Sequence, residues 1–178
     1  MPLMDDNPAV TRRPIGREGL AAAARYALVC LAAYLCGSRF TALFHGESAG
    51  MGGLWSVISG IVVLQSTSRD TWKSAGVRVF GTAIGAVVSG GYLVLLPFSP
   101  LGMAFSIGVT VLICHALNVP EYGRLAALTV AIIMVISAAN PALNPLLNAA
   151  LRFCESGIGA AMAVLVILLW PRGDGGRN

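Results

Sequence analysis

Charge is scarce in this sequence: charged residues make up 11% of its 178 positions, where soluble domains carry about 25%. The chain is 56% apolar and its mean hydropathy is +0.76. A small domain leaves much of its surface wet, so a water-soluble fold of this length has nowhere to hide so much apolar area. The composition excludes an ordinary soluble domain and predicts an integral membrane protein. Cysteine is also thin. Cys30, Cys36, Cys114 and Cys154 stand inside apolar runs, with no Cys-x-x-Cys spacing and no histidine at metal spacing. That pattern argues against a disulfide framework or a zinc site, and no metal or cofactor is expected. The cysteines read as small apolar packing residues. His45 falls in a loop and His115 in an apolar run; neither has a partner in sequence, and both read as structural. Glu155 is the one acidic residue inside an apolar run, and no His-Glu-x-x-His occurs. Intramembrane hydrolysis needs a nucleophile with a base, paired carboxylates or a metal cluster, so the chain is not expected to be an enzyme. No basic run is interleaved with aromatics, so the pI near 9.2 does not point to nucleic acid. A basic surplus in a membrane chain belongs to its cytoplasmic loops.

What is present is six apolar stretches, at about 20–43, 51–65, 77–96, 101–117, 125–139 and 146–170. Barrel-like alternation is absent, and helices satisfy every backbone group within lipid, so the expected fold is all-α with six transmembrane helices. The separators are turn-like: 46–53, 66–74, 97–100, 118–123 and 140–145. A polar lead (residues 1–18) and a short tail (172–178) flank a membrane domain at 19–171. The first apolar run continues through Arg25 without a cleavage site after a short core, and reads as a retained helix. With the N-terminus inside, nine arginines and lysines fall in cytoplasmic segments and two, Arg39 and Arg152, fall outside. That asymmetry predicts cytoplasmic N- and C-termini.

Residues 78–86 read RVFGTAIGA and residues 152–160 read RFCESGIGA. The shift of 74 residues also carries Pro97 onto Pro171 and the short apolar run 51–65 onto 125–139. Each arginine-to-proline interval spans about 28 Å of helix, close to one hydrocarbon thickness. Two repeats are expected, at about 20–97 and 98–171. With three spans each, the second enters from the opposite side, as in transporters that bind substrate at an inverted-repeat interface. Gly81, Gly85 and Ser89 lie four apart on one face. Gly157 and Ala161 do the same in the second copy, with Ser156 and Ala160 alongside, and such faces let helix backbones approach closely in lipid; Gly159 of the same motif is also expected to serve packing.

The stretch GLWSVISGIVVLQSTSRDTWKSAGVRVFGTAIGA resembles the fusaric acid resistance and aromatic acid exporter family. The similar features are a span entered through Gly-Leu-Trp, a Ser/Thr loop, and Arg-x-x-Gly-Thr-x-x-Gly-Ala opening the next span. The resemblance covers about residues 20–171 and is sharpest over 54–86. It implies a six-helix block in a bacterial inner (plasma) membrane that exports small organic anions such as aromatic carboxylates. Plant malate channels carry a similar block. An organic-anion channel, or a membrane scaffold that transports nothing, is the alternative. Where Gly81 stands in the first copy, Glu155 stands in the second.

Charges at membrane depth are expensive and mark pathways or pairs. Arg25 either snorkels to the cytoplasmic interface or joins the route. Arg152 and Glu155, three apart on one helical face, form a structural salt bridge or line the pathway. In the second case Arg152 attracts a carboxylate, and Glu155 competes for it or takes up a proton. Arg78 would gather anions at the cytoplasmic mouth, with Arg152 serving the outer half. Asn140-Pro141 and Asn144-Pro145 either form an external turn or free N–H groups near the sixth helix's start to hold an anion. The expected partners are the lipid bilayer, a small organic anion and further copies of the chain, as a homodimer or higher homo-oligomer.

Overall fold

A computed structural model describes residues 16–170. The expected terminal tails lie outside the described residues, apart from residues 16–18. Among the described residues there is no strand, and six α-helices follow one another. They are α1 (Arg17–Ala42), α2 (Ala49–Val63), α3 (Ser68–Leu95), α4 (Pro100–Ala116), α5 (Gly123–Ala139) and α6 (Pro145–Leu169). Short 3-10 turns at Gly46–Ser48 and Pro120–Tyr122 lead into α2 and α5. α1, α3, α6 and the 120–139 segment containing α5 are long and apolar enough to cross a membrane, while α4 is a shorter apolar helix of 17 residues. α2 has 15 residues.

The helices match the apolar runs except at the start of α3. That helix begins inside the polar segment 66–74, which reads as a loop in sequence. The cause is local: Thr67 caps the helix by accepting the Asp70 N–H at 3.1 Å, and its hydroxyl donates to Asp70 Oδ2 at 2.7 Å. The carboxylate also suits the positive end of the helix dipole. α3 therefore gains two turns before the arginine of the repeat.

α6 is the central helix. It packs against α1, α2, α3 and α5, while α3 also packs on α5, and α4 sits outside α5. Val29, Val63, Ala163 and Val166 form an apolar cluster where α1, α2 and α6 meet. Ala86, Ile133 and Ala149 form a second apolar cluster, and many polar side chains are buried beside the two. Thr41, Ser56, Ser59, Thr82, Ser89, Thr110, Asn148, Arg152, Glu155 and Ser156 are buried, while Leu31, Phe80, Val87, Phe105, Leu112 and Leu169 are exposed. This inversion suits lipid, where leucine faces the solvent and helices associate through close packing and polar contacts. Several hydroxyls satisfy themselves within their own helix, as Thr82 does on Arg78 O, Ser89 on Gly85 O and Thr110 on Ser106 O, each at 2.7 Å. Such back-bonding removes the cost of a buried hydroxyl without a partner helix.

Candidate functional site

The glycines of the repeat bring the helices together. A Cβ built at Gly85 would lie 2.8 Å from Thr129 Cβ on α5, and one at Gly159 would lie 2.7 Å from Ser59 Cβ on α2. At Gly81 the nearest atoms are Leu125 Cβ and Tyr122 O, both at 3.2 Å. Each of these three positions faces a neighbouring helix. Gly157 departs from the expectation, because a Cβ there meets nothing within 4 Å. Two residues of helix rotate a side chain by about 200°, so Gly157 and Gly159 point to opposite sides.

Close approach at Gly159 and Gly85 gathers polar side chains into the space between α2, α3, α5 and α6. A small cavity of about 10 Å³ there is lined by Trp55, Ser59, Arg78, Thr82, Thr129, Ile132 and Arg152, which is room for about one water. Both arginines are 5% exposed. Arg78 donates from Nε and Nη2 to Ser59 Oγ at 3.2 and 3.1 Å. Arg152 Nη2 donates to Glu155 Oε1 at 3.0 Å, and its guanidinium carbon lies 5.5 Å from the Trp55 ring centroid, within the range of a cation–π contact. Glu155 Oε1 also accepts from Thr41 Oγ1 at 2.7 Å. Gly52 makes room for that carboxylate, since a Cβ there would lie 2.7 Å from Glu155 Oε1. Four buried atoms of this group find no hydrogen-bond partner among the described residues: Arg152 Nε and Nη1, Trp55 Nε1 and Glu155 Oε2. Buried polar atoms are rarely left so, because each one costs the free energy of its lost hydration.

The arginines thus sit elsewhere than at two mouths of a route. Arg78 is ten residues after Ser68, about 15 Å along α3, and Arg152 is seven residues after Pro145, about 10 Å along α6. The longer α3 carries Arg78 inward, and the two side chains line one internal space. The other expected site residues lie apart from it. Arg25 is buried, stacks at 5.4 Å on the Trp170 ring and lines a separate recess with Tyr26, Gln65 and Ser66. Asn140 and Asn144 are exposed. Asn140 Nδ2 donates to Ile136 O at 3.2 Å, and Asn144 Oδ1 accepts the Leu146 and Leu147 N–H groups at 2.9 and 3.3 Å. Asn144 is a helix cap, and it consumes the N–H groups that an anion would have needed.

Trp55 and Thr82, which stand in the motifs that carry the resemblance, complete the cavity with Ser59, Thr129 and Ile132, which do not stand out in sequence. Trp55 belongs to the Gly-Leu-Trp in the second turn of α2, and Ser59 follows one helical turn later on the same face. Asn148 is a further buried polar group, donating to Ser137 Oγ at 2.9 Å and Ile133 O at 3.2 Å. The sequence Gly46-Glu47-Ser48-Ala49-Gly50 has the Gly-x-Ser-x-Gly form, and His45 Nδ1 lies 2.8 Å from Ser48 Oγ. The serine stands on a 3-10 turn between two helices, without the strand-to-helix elbow that exposes a nucleophile. Among the described residues no carboxylate bonds His45, and the pair serves to close the α1–α2 loop.

Several of these contacts join positions 74 residues apart. Thr82 and Ser156, which the repeat shift relates, meet directly with their hydroxyl oxygens 3.1 Å apart. The related arginines share a cavity, and Trp55 and Thr129, also related, both line it. No curated protein and no solved structure matches this chain. The family model described as fusaric acid resistance protein-like matches residues 35–166, a stretch that contains every residue of the cavity. The polar cavity among apolar helices therefore lies within a multi-pass membrane protein that belongs to the fusaric acid resistance protein-like family.

Proposed function

We propose that this protein moves small organic anions, aromatic carboxylates foremost, out of the cell across a bacterial inner membrane. One observation carries the reading: two buried arginines, from equivalent positions of the repeat, line a single internal cavity with unpartnered donors beside it. Guanidinium forks match a carboxylate in geometry and charge. A scaffold that transported nothing would gain little from burying an excess of positive charge, which is costly in lipid. Outward passage follows the sense of resistance in the family's name.

The route is six spans in two inverted triplets. Further support comes from the outer face of α3 and α6, which carries two apolar grooves. Shifting all nine residues that line one groove by 74 gives nine of the residues that line the other. Ala83 goes to Gly157, Val87 to Ala161, Gly90 to Val164, Ala149 to Ala75 and Phe153 to Val79. The packing pairs exchange in the same way, α3 on α5 answering α6 on α2. Two related three-helix units give an odd number of crossings each, and so opposite orientations. The same small-residue face suits a second copy of the chain, and a homo-oligomer is part of the reading. With both termini cytoplasmic, a reporter fused after Asn178 reads inside and one placed in the 97–100 loop reads outside. Equal signals at both sites would contradict the arrangement.

The function itself is tested with purified protein in liposomes loaded with labelled carboxylates. Carboxylate release above that of protein-free vesicles is expected. Release equal to the protein-free rate for every carboxylate tried would refute transport.

A further inference from the structure

Glu155 does not line the cavity but holds Arg152, which does, and it is the feature of this group that the repeat does not explain. Its counterpart is Gly81, which has no side chain, so one arginine has a carboxylate three residues along its own helix and the other does not. Arg152 is held by Glu155 at 3.0 Å, whereas the acceptor of Arg78 is the neutral Ser59 hydroxyl. The chain has also made a place for this carboxylate. Gly52 leaves the space beside Oε1, and Thr41 supplies a second donor to it. The side chain of Glu155 is fully buried. Among the described residues the buried charges are Arg25, Arg78, Arg152 and Glu155, and Arg25 faces its own recess. The cavity is therefore served by two positive charges and one built-in negative charge, which leaves a surplus of one.

We propose that Glu155 sets the charge of the anion this site accepts, so that monocarboxylates pass and dicarboxylates are excluded. Once the helices part to enlarge the one-water space, a single carboxylate balances the surplus and can take the free N–H donors of Arg152 and Trp55. A second negative charge would enter a buried space with no cation left to balance it. Burying an unpaired charge costs more than the remaining hydrogen bonds return. Glu155 is thus a selectivity residue, acting through the charge count of the site and through its hold on Arg152. The inference rests on the proposed anion transport and narrows its substrate class.

The test uses full-length protein in liposomes with the membrane potential held at zero. Three probes share one ring: benzoate, terephthalate and the monomethyl ester of terephthalate. The ester is larger than terephthalate but carries one charge, so it separates charge from size. Benzoate and the monoester should leave the vesicles at least about tenfold faster than terephthalate, since each 1.4 kcal/mol of barrier is about tenfold. In Glu155→Gln the amide oxygen can still accept from Arg152 and Thr41, but the surplus rises to two. The terephthalate-to-monoester ratio should then rise by about tenfold, while Glu155→Asp keeps the unaltered ratio. An unchanged ratio in Glu155→Gln overturns the proposal. Should that variant fail to insert, the unaltered protein decides alone, because terephthalate keeping pace with the monoester overturns it equally. Failure of all three probes to leave would instead count against anion transport itself.

Discussion

Arg78→Gln should lower carboxylate flux by about a hundredfold while leaving the protein inserted and folded. Arg78 is one of two cations on the cavity, and its loss brings the balance with Arg152 and Glu155 to zero. Nothing then favours an anion over a neutral solute. A hydrogen bond to a charged group contributes about 1.5–3 kcal/mol, so losing the fork from the bound state costs roughly ten- to a hundredfold, and loss of the net charge adds to it. The fold should tolerate the change, because the partner left behind is Ser59, a neutral hydroxyl that can bond the glutamine amide. Arg78→Lys keeps the charge but loses the planar pair of donors, and should retain part of the flux. The check is the initial rate of labelled benzoate release at equal protein per vesicle. Flux in Arg78→Gln equal to that of the unaltered chain would reduce the arginine to a packing residue.

Arg152→Gln should act differently, on stability first. Removing this guanidinium strands the Glu155 carboxylate in the interior with only Thr41 to bond it. Breaking one side of a buried ion pair costs about 3–5 kcal/mol, a large share of the roughly 5–15 kcal/mol that holds a domain folded. The single variant should therefore lose most of its monodisperse yield, or show a clearly lower Tm in detergent. The double variant Arg152→Gln/Glu155→Gln removes both charges and should recover close to the original stability, while transport returns only in part, because Arg78 keeps the surplus at one but the donors of Arg152 are lost. Thermal unfolding followed by size-exclusion chromatography distinguishes the two. If the single variant unfolds at the same temperature as the double, the pair does not hold the centre of the fold in the way described.

How much of this could be read from the letters depends on the distance over which each feature is determined. Apolar runs mark helices because lipid demands an apolar surface at every exposed turn, and five of the six helices start close to where their runs start. α3 does not, because its start depends on a Thr67–Asp70 cap set in a polar stretch that looks like a loop. The shift of 74 residues is legible in the letters, and Thr82 and Ser156, which it relates, touch in the structure. It could not say that Arg78 and Arg152 would converge, since that depends on how far each helix extends before its arginine. The glycines show the same limit. Gly157 and Gly159 stand in one motif, yet one meets open space and the other meets the backbone of α2. Asn144 was plausible as part of an anion site only while its own side chain was left out of account. Trp55 and Ser59 belong to the site through the rotation of α2, which no local pattern specifies.

The central claim is that the buried space shared by Arg78 and Arg152, which has room for about one water in this structure, widens as the helices around it part and then binds the anion. Trp55 offers a direct reading of it, because its ring lies against the Arg152 guanidinium. The chain has three tryptophans, and Trp72→Phe with Trp170→Phe leaves Trp55 as the sole tryptophan. Titrating that protein with benzoate should give a saturable change in tryptophan fluorescence that disappears when Arg78→Gln is added. A saturable change that survives Arg78→Gln unaltered, or no change at any benzoate concentration, would contradict a shared site.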